Sequence, residues 1–213
     1  MLKERALPWT VAFALFAVWE LSVYAFDIPS FFLPAPSEIF EALWEWRGPI
    51  FEHSFVTLYE TIIGFVLAMV IGGALGVAIG SSALLYRGIY PLLIGFNTVP
   101  KSALVPLLVM WFGIGVVPAI ITSFLISFFP ILVNVATGIA TVEPELQDVL
   151  RSLGARKSVI IWKIAIPRAL PYFFASLKVA ITFAFIGTIV SETVAANCGI
   201  GHLMSVARAL TQP

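Results

Sequence analysis

The chain has 213 residues, 60% hydrophobic and only 11% charged, with a formal net charge of zero. A mean hydropathy of +1.01 leaves too few polar groups to cover a water-facing surface, which excludes a soluble domain. The zero balance carries no nucleic-acid signature, and a single cysteine, Cys198, excludes an internal disulfide.

The runs "WTVAFALFAVWELSVYAF", "IIGFVLAMVIGGALGVAIG", "PAIITSFLISFFPILVNVATGIA" and "FFASLKVAITFAFIGTIV" approach or exceed the roughly 20 apolar residues that cross a bilayer. The expected fold is an all-α polytopic transmembrane bundle of about five spans, one domain over residues 1–213. A membrane barrel would instead show short alternating segments. The N-terminus has the basic start of a secretory signal. Its apolar run, however, continues into Trp19, Glu20 and Tyr24 with no small-residue cleavage site, so a retained first span over residues 9–26 is expected.

The next segment carries Asp27, Glu38, Glu41, Glu45 and Glu52 against Arg47, and is broken by Pro29, Pro34 and Pro36. It reads as a loop, then a short amphipathic helix capped by Ser37. The second span covers residues 57–79, with Gly64, Ala68, Gly72, Gly76 and Gly80 on one helical face. Helices in lipid gain little from hydrophobicity, so this face predicts close helix–helix packing.

Residues 84–115 hold Pro91, Pro100 and Pro106. Proline removes a helix hydrogen bond, and broken backbone at membrane depth persists only against protein or water. The reading is an interfacial helix near residues 87–96, a break at 97–101, then a third span to about residue 112. Asn97, Thr98, Pro100 and Lys101 at the break are candidates for a gate. The fourth span covers residues 118–140, with Pro130 and Asn134 inside. The fifth covers residues 172–194, with Lys178 and Glu192 toward its ends. Ionisable groups at such depth point to a pathway or a buried pair, which makes Glu192 and Glu60 pathway candidates. Glu192 sits far enough out to be simply solvated, and Lys178 can snorkel.

Residues 141–170 are too long and too patterned for a plain linker. "PELQDVLRSL" spaces Leu146, Val149, Leu150 and Leu153 along one helical ridge, with Glu143 and Glu145 where acids suit the helix dipole. Gly154 is a good stop. "ARKSVIIWKIAI" restarts an apolar periodicity until Pro167, with Arg151, Arg156, Lys157, Lys163 and Arg168 along the segment. The result is helix, glycine turn, helix: a knuckle whose ridge needs a surface to cover it.

This segment resembles the cytoplasmic loop of permease subunits in binding-protein-dependent ABC importers. That loop reads Glu-Ala-Ala, three residues, Gly, nine residues, Ile, one residue, Leu-Pro. Here the matching residues are Asp148-Val149-Leu150, Gly154, Ile164 and Ile166-Pro167. Asp replaces Glu, larger residues replace both alanines, and Ile replaces Leu. "FLPAPSEIF", "NTVPKSALVPLLVMWFGIG" and "VSETVAANCGIGHLM" are similar to the nitrate, sulfonate and taurine type of permease.

The resemblance implies that residues 141–170 form a coupling loop in a cleft of a separate ATPase subunit, through Glu145, Leu146, Asp148, Val149, Leu150, Leu153, Gly154, Ile164 and Pro167. It implies two ATPase copies, a second permease copy as a homodimer, a periplasmic or lipid-anchored substrate-binding protein, and a bacterial inner membrane. ATP and Mg would be bound by the ATPase, since this chain has no Gly-x-x-x-x-Gly-Lys-Ser/Thr loop; no cofactor, metal or nucleic acid is expected on the chain itself. Closure of the ATPase would switch the spans between inward- and outward-open packings. The resembled permeases continue into one more apolar span, so a final helix is expected to be missing here. The alternatives are a secondary transporter, whose internal repeat is not seen, a membrane enzyme, whose polar cluster is not seen, and a truncated, non-functional permease.

Charge asymmetry fixes the expected topology. Lys3 and Arg5, Arg87, and the 141–170 loop fall on one side if the spans alternate, and acidic residues 27–53 on the other. The N-terminus and residues 141–170 are therefore expected in the cytoplasm. A Ser158→Cys probe in a Cys198→Ser background should resist an impermeant thiol reagent in intact cells and react after permeabilisation. Labelling in intact cells would refute this topology.

Overall fold

The computed structural model describes residues 2–211, and every regular element among them is helical. In chain order these are α1 (Leu2–Ala25), α2 (Pro36–Glu45), α3 (Arg47–Gly80), α4 (Ala83–Asn97), a 3₁₀ turn (Lys101–Leu104), α5 (Val105–Phe112), α6 (Val116–Ala140), α7 (Pro144–Ser152), α8 (Lys157–Ile160), a π turn (Ile161–Ala165), α9 (Ile166–Ala195) and α10 (Ile200–Thr211). Four helices are long and apolar enough to cross a membrane, or five if the bent pair Ala83–Asn97 and Lys101–Phe112 is one span. The chain divides into two compact units, residues 1–52 with 207–213, and residues 53–206. The side chains of Lys3 and Arg5 lie outside the described set.

In the first unit, α2 begins two residues earlier than its sequence signals. The N-cap is Ala35, not Ser37, and Pro36 takes the first helical position, where a missing N–H costs nothing. Glu38 reaches back to accept from the Ala35 N–H at 3.1 Å. Ser37 serves Glu20 of α1 instead, donating its N–H and hydroxyl to the two carboxylate oxygens at 3.0 and 2.6 Å. A carboxylate on an apolar span is thereby satisfied by a helix start, whose free N–H groups favour an anion.

The second unit is organised around α6. The α3 face of Gly64, Ala68, Gly72 and Gly76 is buried, with Gly80 half-buried. Gly64, Gly72, Gly76 and Gly80 lie against α6: a Cβ added at Gly64 would sit 2.6 Å from Ser123 Cβ, at Gly76 2.7 Å from Val135 Cβ, and at Gly80 2.6 Å from the Ala136 carbonyl oxygen. α9 brings a small-residue face of its own, with Ser176, Ala180, Ala184, Gly187 and Thr188 buried. A Cβ at Gly187 would lie 3.2 Å from Ser123 Cα. α6 is therefore gripped from both sides by helices whose small residues admit its backbone. Ala68, Ile131, Val135, Ile139, Ala165, Ala169 and Ala180 join in one apolar cluster across these helices.

One proline effect differs from the sequence expectation. The second helix of the knuckle does not end at Pro167. It continues through a π turn at Ile161–Ala165, so that Lys157–Ala195 is one 39-residue helix. A wider turn relieves the clash of a proline ring with the preceding turn. Asn134, inside the fourth span, donates its side-chain amide to the Pro130 carbonyl within α6 at 2.8 Å.

Gly76→Val should break the α3–α6 contact, because the added atoms meet Val135 Cβ and the Leu132 carbonyl oxygen, which lies 2.9 Å from a Cβ at this position. Overpacking of this kind costs about 1–3 kcal/mol. The detergent-solubilised variant is expected to unfold at lower temperature, whereas Gly88→Ala, with open space around its Cβ position, should not.

Candidate functional site

The knuckle is built by a glycine turn. Gly154 has φ +80, the left-handed conformation that ends helices. The Gly154 N–H donates to the Arg151 carbonyl and the Ala155 N–H to the Leu150 carbonyl, both at 2.9 Å, the paired bonds of a Schellman motif. A Cβ at Gly154 would meet nothing within 4 Å, so backbone conformation alone demands glycine here.

The expected ridge divides in two. Leu146 and Leu150 are half-buried, whereas Val149 and Leu153 are 56% and 77% exposed. Glu145 lies in the first turn of α7 and is exposed, as is Pro167. Ile164 packs against the apolar cluster. Asp148 pairs with Arg151 at 3.2 Å, and Arg168 pairs with Glu143. The second pair ties the start of α7 to the start of α9, so the loop is held at its base while its outer apolar edge stays open.

The gate candidates form a helix stop. Thr98 donates its hydroxyl to the Gly95 carbonyl at 2.7 Å. The Lys101 ammonium donates to the Asn97 carbonyl and side-chain oxygen at 2.6 and 2.8 Å, a cation at the negative end of α4. It also lies 4.7 Å from the Phe129 ring centroid, on α6. Pro100 precedes the 3₁₀ turn, and the chain bends there by 74°. Asn97, Thr98 and Pro100 are exposed, and so is Lys178.

Glu192 differs most from its reading as a solvated group. It is 1% exposed, as is Glu60 of α3, and the two carboxyl groups meet. Glu192 Oε1 accepts from the Thr57 hydroxyl at 2.7 Å and Oε2 from the Gly201 N–H at 2.7 Å. Thr57 Oγ in turn accepts from the Ile200 N–H at 2.8 Å, and His53 Nδ1 accepts from the Gly199 N–H at 2.9 Å. One turn deeper, Thr61 donates to Thr188 at 3.0 Å. The backbone wraps this carboxylate tightly: a Cβ at Gly199, where φ is +100, would sit 2.3 Å from Glu192 Cδ. The cluster is a polar clip joining α3, α9 and the start of α10. Burial pushes the neighbouring Cys198 thiol up from its ordinary pKa, and Glu60 and Glu192 add to the effect.

Sequence reasoning missed Thr57, His53, Gly199 and Gly201. The available signal was local, a Gly-x-Gly pair shortly after Ser191-Glu192; the partners on α3 lie far away in the chain. Among the described residues no group of three His, Cys, Asp or Glu could hold a metal ion.

A knuckle with an open apolar edge, on a bundle of apolar spans, has a counterpart among known proteins. Residues 61–212 match the family described as the inner membrane component of binding-protein-dependent transport systems. The chain belongs to this family. The permease is 32% identical over 93% of its length to the formylaminopyrimidine transport permease protein of Halalkalibacterium halodurans, of which it covers 80%. It is 27% identical over 93% of its length to the taurine transport permease protein of Escherichia coli, covering 74% of that protein. It is 29% identical over 93% of its length to the nitrate import permease protein of Synechococcus elongatus, covering 75% of it. The permease is thus a multi-pass inner-membrane protein of the ABC importer type, in the branch its motifs resemble.

Glu192→Ala should leave the buried Gly201 N–H without its acceptor, a loss of about 1–3 kcal/mol. Glu192→Gln should be far milder. An amide oxygen can still accept from Gly201, and Thr57 can turn its hydroxyl to the His53 carbonyl, 3.3 Å away. Thermal unfolding of both variants checks the order; equal losses would count against this arrangement.

Proposed function

We propose that the permease, paired with a second copy of itself, forms the translocation pathway for ATP-driven uptake of a small anion or organic solute of the nitrate, sulfonate, taurine or pyrimidine kind. A periplasmic or lipid-anchored binding protein delivers the solute. Two copies of an ATPase subunit hold ATP and Mg and drive the cycle through α7. The reading is supported by the family and by relatives that carry formylaminopyrimidine, taurine and nitrate in their names. The observation that carries it is the exposed pair Val149 and Leu153, one helical turn apart on a loop locked by Gly154. Exposed apolar residues in a fixed geometry beside cationic Arg156 and Lys157 fit a protein cleft better than water.

Reconstitution with a partner ATPase and binding protein, followed by uptake of labelled taurine, nitrate and formylaminopyrimidine, tests the function. Uptake of one of these that requires ATP supports it. Uptake driven by an ion gradient without the ATPase would favour a secondary transporter.

Leu153→Asp places a charge where an apolar contact is expected, while an exposed substitution changes the stability of the permease itself by only about 0.5 kcal/mol. The variant should insert and unfold normally yet lose ATPase co-purification by at least about tenfold. Gly154→Val should also lower ATPase recovery, by opposing the left-handed turn. Normal ATPase recovery with both variants would overturn the coupling role.

A further inference from the structure

A cavity of about 270 Å³ opens between the base of the knuckle and the ends of the spans, and Arg87 of α4, Arg151 of α7 and Lys157 of α8 all line it. No carboxylate is among its lining residues. Arg151 has Asp148 beside it, but Arg87 and Lys157 have no ion pair among the described residues. Ser81, also in the wall, has a buried hydroxyl with no hydrogen-bond partner. α4 starts at the same wall and has no acidic residue in its first turn, so its dipole adds to the positive potential.

Three cationic residues lining one small cavity give it a positive potential that favours an anion. The guanidinium groups of Arg87 and Arg151 suit a phosphate, which they bind through paired N–H donors. The volume lies just below the range of small-molecule sites, enough for a phosphate group with a short polar substituent. Its position identifies the source. The cavity lies where α3 ends at Gly80 and α6 ends at Ala140, and both are membrane-crossing helices. Headgroup phosphates of the bilayer lie at that level.

We propose that this cavity binds the phosphate of an anionic phospholipid headgroup. The bound phosphate bridges Arg87, next to the spans, and Arg151 and Lys157, on the two limbs of the knuckle. It braces the loop against the bundle. The site is independent of the transported solute, and the readout below uses the permease alone, so its failure is distinct from a failure of ATPase coupling.

The test is native mass spectrometry of the full chain purified in detergent with phosphatidylglycerol or phosphatidylcholine. Wild type should retain phosphatidylglycerol in preference. Arg87→Gln combined with Lys157→Gln should lower retention by about tenfold, the scale of lost charge-assisted bonds. Arg87→Lys, which keeps the charge, should retain most of it, and Lys178→Gln, outside the cavity, should match wild type. The exchanged side chains are exposed, and unchanged elution and Tm show that the fold is kept; if the double variant is not recovered, Arg87→Gln alone serves. A second arm adds millimolar inorganic phosphate. Adducts that survive it identify lipid as the source, while their displacement overturns the lipid assignment in favour of free phosphate. Equal retention of phosphatidylglycerol by wild type and the double variant overturns the site itself.

Discussion

The close approach of α3 to α6 is the constraint on which the rest of the permease depends. Lipid gives two apolar helices little reason to associate, since leaving the bilayer for a neighbour exchanges one apolar contact for another. What remains is dispersion and short polar contacts, both of which require backbones to come near. Gly64, Gly72, Gly76 and Gly80 allow this against α6, and Gly187 allows it from the α9 side. With larger residues there, the three helices would separate and the polar groups between them would lose their partners. Burial of Thr61, Thr122, Ser123, Thr188 and Ser191 is a consequence of that approach, and the Thr61–Thr188 hydrogen bond then adds a directional contact.

The same packing explains how a buried carboxylate is tolerated at Glu192. An isolated carboxylate in an apolar setting is costly, and the protein must supply donors from several elements at once. Thr57 comes from α3 and Gly201 from the start of α10, while Gly199, one of whose neighbours is Cys198, lets the chain wrap the carboxylate without a side chain in the way. Glu20 of α1 obtains the same kind of support from the start of α2. In both cases a helix N-terminus receives an acidic side chain from an apolar span, so free backbone N–H groups do the work that water does elsewhere.

Much of this was legible in the sequence, and the limits of legibility have physical reasons. The spans follow from runs of apolar residues, and the break near Pro100 follows from proline chemistry; both are local properties. Gly154 is legible because a helix stop leaves its mark within a few residues. Glu192 is not, because its partner Thr57 lies 135 positions away, and a lone acid near the end of a span looks the same whether it is solvated or clamped. Ser37 misled because a serine before an acidic turn is a cap signal, yet Pro36 had already fixed the helix start and Ser37 was engaged by Glu20. The ridge of α7 was right in periodicity, but periodicity does not say which half of an apolar face its own protein covers. Leu146 and Leu150 are partly covered, and Val149 and Leu153 are left open.

One helix links the two polar ends of the second unit. The run Lys157–Ala195 extends for 39 residues, nearly 60 Å at the α-helical rise, and carries the knuckle at one end and Glu192 close to the other. A continuous helix transmits displacement along its axis because its hydrogen bonds resist stretching, and it yields where that ladder is altered. The altered place is the π turn at Ile161–Ala165, followed by Pro167 and Pro171, the features at which helices bend. It lies beside the knuckle, not in the middle of the span, and Ala165 and Ala169 pin the helix to the apolar cluster just beyond it. The joint therefore lies between the knuckle and the packed length of the span. Beyond the joint α9 and α6 pack along their small-residue faces, and the Glu192 clip lies near the far end of α9.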